Sequence, residues 1–176
     1  PPPSPPSPSL PPPPPTPPPH PPSPPPTPTP PSPPPIPPAP PPQDVLDLSG
    51  LRATCAATTQ SISASSILEV RLRNSLVLDS EAVSLGRSVR LVGACGVTGD
   101  EPCTLDARGA SGILVAAGDA KVELENVRLV NGRSDEGGAL YVEDGDVVVG
   151  MGVELFNNTA NSKGGAIYAK TGTVHV

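Results

Sequence analysis

Two short motifs recur in this chain at one spacing, and they restrict its fold more than anything else in the sequence. Gly137-Gly138-Ala139-Leu140-Tyr141 returns as Gly164-Gly165-Ala166-Ile167-Tyr168, and Leu129-Val130-Asn131 returns at the same offset as Phe156-Asn157-Asn158. A weaker copy, Gly112-Ile113-Leu114-Val115, precedes Gly138-Ala139-Leu140-Tyr141 by nearly the same interval. Two elements held to one period indicate a stacked array. Each repeat in such an array is a unit that cannot bury its apolar face alone.

The units are built from strands. Ile67–Leu72, Val89–Val92, Val122–Leu124, Val127–Val130, Val147–Val149 and Val153–Leu155 alternate apolar with polar residues or run β-branched. Turn formers separate them: Gly118-Asp119, Asn131-Gly132, Asp144-Gly145-Asp146 and Thr171-Gly172. Only Asp44–Ala57 and Ile62–Arg73 have room for a short helix. A sandwich does not repeat in sequence. A propeller blade needs about 40–50 residues, well beyond the step from Gly137 to Gly164. Three short strands and three turns per coil fit the period, so the expected class is all-β, a right-handed parallel β-helix. Stacked coils would put Leu114, Leu140 and Ile167 in one inward ladder, and Ala116, Val142 and Ala169 in a second. Val115, Tyr141 and Tyr168 would then face outward. Asn131 and Asn158 would share a corner, where amides bond the neighbouring coil. The paired glycines suit a sharp bend entering the strand.

Composition changes abruptly at residue 43. Residues 1–42 hold 30 of the 31 prolines and no acid, Lys, Arg or Gly. Proline fixes φ and removes the backbone donor, so this stretch is expected to be a disordered polyproline II spacer. At about 3.1 Å per residue it would reach roughly 130 Å. The expected body is 43–176, with 43–80 an N-terminal cap or irregular first coil and 112–176 the clearest repeats. The chain starts inside a proline tract and stops in an apolar strand, Val174-His175-Val176, which reads as truncation. An open end of that kind would favour self-association by edge pairing.

All charge lies in the body, which carries the net −6. That argues against nucleic acid and anionic membranes as partners. No stretch approaches the ~20 apolar residues of a membrane helix. The candidate acids, Asp135-Glu136 and Glu143-Asp144-Gly145-Asp146, read as solvated turns, with a weak Ca²⁺ site as the minor alternative. Arg108 and Arg133 have no evident carboxylate partner. His20 and His175 leave a serine triad without a credible base and a zinc site without ligands. No helix follows the glycines, so they cradle no phosphate. The expectation is no catalytic residue, no metal and no cofactor.

The pattern Phe156-x-Asn158 followed by Gly164-Gly165-Ala166-Ile167 resembles the repeat of chlamydial polymorphic outer membrane proteins. The earlier copy departs from it, with Leu129 for Phe and Leu140 for Ile. Val89–Gly93 through Val127–Gly132 is similar to parallel β-helices of the pectin-lyase-like class. The Ser-Pro-Pro runs look like hydroxyproline-rich cell-wall glycoproteins of green algae and plants. Together these resemblances imply an extracellular or cell-wall location. They also imply matrix polysaccharides or glycoproteins as partners.

In that setting Cys95 and Cys103, eight apart, are a disulfide candidate, with two free thiols as the alternative. Cys55 is left over, buried or paired elsewhere. Asn157-Asn158-Thr159 is a glycosylation sequon at Asn157. Tyr141 and Tyr168 form a candidate strip for sugar rings or a partner's side chains. Three functions stay open: a non-catalytic structural or adhesive wall module, a polysaccharide-active enzyme lacking its catalytic coils, and a receptor ectodomain fragment. An Asp-rich set of further coils would mark the second, and an apolar 20-mer the third.

Overall fold

The structure, a computed structural model, describes residues 41–56 and 67–176. The expected proline spacer falls outside the described residues except for Pro41 and Pro42, as do residues 57–66. In order, the elements are β1 (Gln43–Val45), α1 (Leu48–Ala56), β2 (Leu68–Leu72), β3 (Leu76–Val77), β4 (Val83–Leu85), β5 (Val89–Gly93), β6 (Cys103–Asp106) and β7 (Leu114–Ala116). They continue with β8 (Lys121–Glu125), β9 (Val127–Val130), β10 (Arg133–Glu136), β11 (Leu140–Val142), β12 (Asp146–Val149), β13 (Glu154–Phe156), β14 (Thr159–Lys163), β15 (Ile167–Ala169) and β16 (Thr173–His175).

Three parallel sheets run the length of the array. Their orders are β1-β2-β5-β8-β12-β16, β3-β6-β9-β13 and β4-β7-β11-β15, and a two-stranded ribbon, β10-β14, stands beside them. From β2 to β15 successive turns of chain add one strand to each long sheet, and β1 and β16 extend the first sheet at either end, giving a parallel β-solenoid of about five turns. The fold class expected from the repeat is the one found.

Period-2 alternation puts one set of side chains inside. In β2, Leu68, Val70 and Leu72 are buried while Glu69 and Arg71 face out. Register then stacks like on like. Val83, Leu114, Leu140 and Ile167 form one inward ladder, and Leu85, Ala116, Val142 and Ala169 the next. Leu76, Leu105, Leu129 and Leu155 line the second sheet. Val70, Leu91, Leu124 and Val149 line the first. Among the described residues no polar or charged side chain is buried.

One alignment differs from the sequence reading. Phe156 lies over Val130, not Leu129, because the period of that sheet is one residue shorter than the period of the glycine motif. The ribbon absorbs the difference: Arg133 pairs with Thr159 and Ser134 with Ala160, but Glu136 pairs with Lys163 across a register shift. Beyond that shift Leu140 meets Ile167, one position later than the register of the preceding corner would place it. Asn131 consequently stacks with Asn157, its Oδ1 accepting from Asn157 Nδ2 at 2.7 Å. Asn158 falls beside Gly132, whose N–H donates to Asn158 Oδ1 at 2.7 Å, while Asn158 Nδ2 donates to the Leu129 carbonyl at 2.9 Å. The corner amides do bond the coil below, but they are displaced by one residue from the expected pair. Strand β13 is likewise Glu154–Phe156, one residue later than expected.

Helix α1 forms in the first candidate segment. Asp47 caps it, accepting from Gly50 N at 2.7 Å and Ser49 Oγ at 2.8 Å. Its Leu51 and Cys55 are fully buried in the core cluster that also holds Val83 and Leu85 of β4. The described part of the second helix candidate is instead β2, where Leu, Val and Leu alternate with charges. Between β5 and β6 the chain makes an excursion over 94–102. The step from Val83 to Leu114 is accordingly longer than the next one, from Leu114 to Leu140. A Cys95–Cys103 bond, S–S 2.06 Å with Cα atoms 5.2 Å apart, closes the excursion.

Candidate functional site

The outward row of the third sheet is Ser84, Val115, Tyr141 and Tyr168, placed in register by the ladders just described. The tyrosine rings stack, with centroids 6.0 Å apart and planes 19° from parallel. The entry to each tyrosine strand is fixed by its glycine pair. Gly137 and Gly164 have φ of 64° and 60°. Gly138 lies so close to the next coil that a Cβ would sit 2.4 Å from the carbonyl oxygens of Gly165 and Thr159. Those contacts leave no room for a side chain at the second glycine of the motif's first copy.

The ribbon β10-β14 was not expected from the sequence, because Arg133-Ser134-Asp135-Glu136 and Thr159–Lys163 carry no apolar alternation. Their shared offset was the available signal. The ribbon borders a groove of about 550 Å³ in which Val115 and Tyr141 meet Ser134, Asp135, Glu136 and Ser162. Asp135 and Glu136 therefore lie in a strand, not in a turn as expected. Glu136 pairs with Lys163 at 3.4 Å, and Lys163 Nζ also donates to Tyr168 Oη at 3.3 Å, 5.2 Å from the ring centroid. The Tyr168 hydroxyl first, and Glu136 second, raise the Lys163 pKa. Asp135 accepts from Asn161 Nδ2 at 3.0 Å. The groove thus has an aromatic side and a side of acids and hydroxyls whose carboxylates already have partners. Such a surface suits stacking and hydrogen bonding.

The second acid cluster is dispersed among its own neighbours. Glu143 pairs with Lys170 at 3.3 Å, Asp144 accepts from Gly145 N at 3.0 Å, and Asp146 accepts from the Thr173 hydroxyl. Among the described residues no group of three or more His, Cys, Asp or Glu is arranged to hold a metal ion. Among the same residues no helix is long and apolar enough to cross a membrane. Cys55 is a free, buried thiol, and burial pushes its pKa up to about 12. Asn157 is exposed in a left-handed conformation, φ 53°, with its amide nitrogen bonded to Asn131.

Residues 152–170 match the repeat of the Chlamydia polymorphic membrane protein family. The match covers part of one coil, from the turn before β13 through β15, and includes Asn157, Asn158 and the second glycine pair. The chain is a β-solenoid carrying a repeat of that type. It matches no curated protein and no solved structure.

Proposed function

We propose that the chain is a non-catalytic, adhesive module of an extracellular or cell-surface protein, with the solenoid as binding body and the proline tract as spacer. The observation that carries this reading is the groove beside the Tyr141–Tyr168 stack, an open, outward surface built on parallel strands. The repeat match supports it, since that repeat type is named for a membrane protein family. The acids at the groove are held by Lys163 and Asn161, which favours recognition over acid–base chemistry. The Ser-Pro-Pro composition of residues 1–42 favours a wall or matrix setting of the hydroxyproline-rich kind, with matrix polysaccharide or glycoprotein as partner. A glycan-array and matrix pull-down comparison of the chain with its Tyr141→Ala/Tyr168→Ala form tests the reading. Binding should fall at least tenfold in the variant. Equal retention by both forms would remove the groove from the function. Release of products from pectin, polygalacturonate or wall polysaccharide, abolished by Glu136→Gln, would replace adhesion with catalysis.

A further inference from the structure

Eleven basic residues lie in this acidic body. Eight of them form ion pairs with carboxylates: Arg52, Arg71, Arg73, Arg90, Arg128, Lys121, Lys163 and Lys170. Arg87 also has a partner. The remaining two, Arg108 and Arg133, make no ion pair among the described residues, and both line the same hollow. They sit on consecutive coils: Arg108 follows β6, and Arg133 opens β10. The hollow has a volume of about 350 Å³, and Asn131, Asn157 and Thr159 complete it.

The local backbone is built to hold this arrangement. Arg108, Asn131 and Asn157 all take left-handed conformations, φ 52°, 57° and 53°. A ladder of side chains ties the three coils: Asn157 Nδ2 donates to Asn131 Oδ1 at 2.7 Å, and Asn131 Nδ2 donates to Asp106 Oδ1 at 2.8 Å. Asp106 also accepts from the Arg108 backbone N–H at 2.8 Å. The Asn131 amide first, and the Arg108 backbone N–H and charge after it, hold the Asp106 pKa down, and among the described residues Asp106 forms no ion pair with the Arg108 guanidinium. The ladder engages the amides, so among the described residues the hollow presents two guanidinium groups and the Thr159 hydroxyl as its uncommitted donors. A guanidinium offers a fork of N–H groups matched to oxyanions.

We propose that this hollow binds a tetrahedral oxyanion, a sulfate or phosphate ester group on a partner molecule. Two like charges are placed together with no carboxylate paired to either among the described residues, on a body that otherwise neutralises its cations within the fold. An anion supplied by the ligand completes the pattern. The body's net −6 disfavours a dense polyanion such as nucleic acid, whose charges recur about every 1.7 Å along a duplex. It tolerates a ligand with isolated anionic groups. This site is separate from the tyrosine groove and stands or falls independently of it.

The test is an amide NMR titration of the full chain at low ionic strength, in buffer free of other oxyanions, with glucose 6-sulfate and glucose 6-phosphate as probes. Saturable shifts at the Gly109 and Gly132 amides are expected, weakening as salt rises from about 20 to about 200 mM. Arg108→Gln and Arg133→Gln should each weaken binding by about tenfold, since each removes a charged hydrogen-bond donor to the anion. The double variant should abolish it. Neither arginine side chain packs in the core, so the spectra should otherwise stay native. Arg128→Gln, which removes a paired arginine, should leave affinity unchanged. The tighter of the two esters identifies the source of the anion. Absence of saturable binding by either probe, or binding that survives the double variant, would overturn the proposal.

Discussion

Glycine at a coil junction does two different jobs in this solenoid, and substitution separates them. Gly109 has φ 77° with open space where a Cβ would be, so only backbone strain opposes a side chain there. Gly109→Ala should cost about 1–2 kcal/mol, the left-handed penalty of an L-residue. At Gly138 the Cβ would strike two backbone carbonyls of the coil above, which cannot move without parting the stack. Gly138→Ala should cost about 3 kcal/mol, at the upper end for overpacked interiors. Urea denaturation of the two variants checks the order. An equal loss would mean that contact between coils does not select the second glycine. Asn158 belongs to the same scale. Asn158→Ala would leave the buried Gly132 N–H without its acceptor and cost about 1–3 kcal/mol.

At the scale of elements, one ion pair ties the middle of α1 to the segment between β3 and β4. Arg52 of α1 donates to both Asp79 oxygens, at 2.8 and 2.6 Å, and to the Glu81 carbonyl at 2.6 Å. The Arg52 hydrogen bond, with the Glu81 backbone N–H second, holds the Asp79 pKa down at about 2. A carboxyl lowered in the folded state contributes stability that is fully present above its unfolded pKa near 3.8 and is lost as pH falls toward 2. The parent chain should therefore lose more Tm between pH 5 and pH 2 than Asp79→Asn does. Parallel acid limbs for the two proteins would show that the pair does not anchor the helix. Cys55, on the inner face of the same helix, reports the same event in another way. With its thiol pushed to about 12 by burial, it should resist alkylation at pH 8 in the native protein and react at once in guanidinium. Rapid native labelling would mean that α1 opens on its own.

For the whole molecule the relevant unit is the neighbouring coil. Each inward ladder residue contacts the coils on either side, so damage should spread locally. Leu140→Ala removes a fully buried side chain between Leu114 and Ile167 and should cost about 2–5 kcal/mol. Hydrogen exchange should lose protection in β7, β11 and β15 first, while β2 keeps most of its protection. Uniform loss along the array would mean that the solenoid unfolds as one cooperative block.

The repeat of Gly-Gly-Ala-Leu-Tyr, together with strand-length alternation, was sufficient to read the parallel stack, its inward ladders and the outward tyrosines. These depend on period alone, and period is written in the residue order. The corner was read one residue out, because Phe156-Asn157-Asn158 looks like Leu129-Val130-Asn131 while the sheet aligns Phe156 with Val130. A register shift inside an all-polar ribbon takes up the extra residue, and no hydrophobic pattern marks where that happens. The ribbon and the groove it borders therefore became visible only in three dimensions. The lack of partners for Arg108 and Arg133 was noted from the sequence, but their meeting in one hollow was not. The steps from Val83 to Leu114, from Leu114 to Leu140 and from Leu140 to Ile167 are all of different length. Coil length decides which side chains become neighbours, and only the hydrogen-bonded register of the sheets fixes how the extra residues are absorbed.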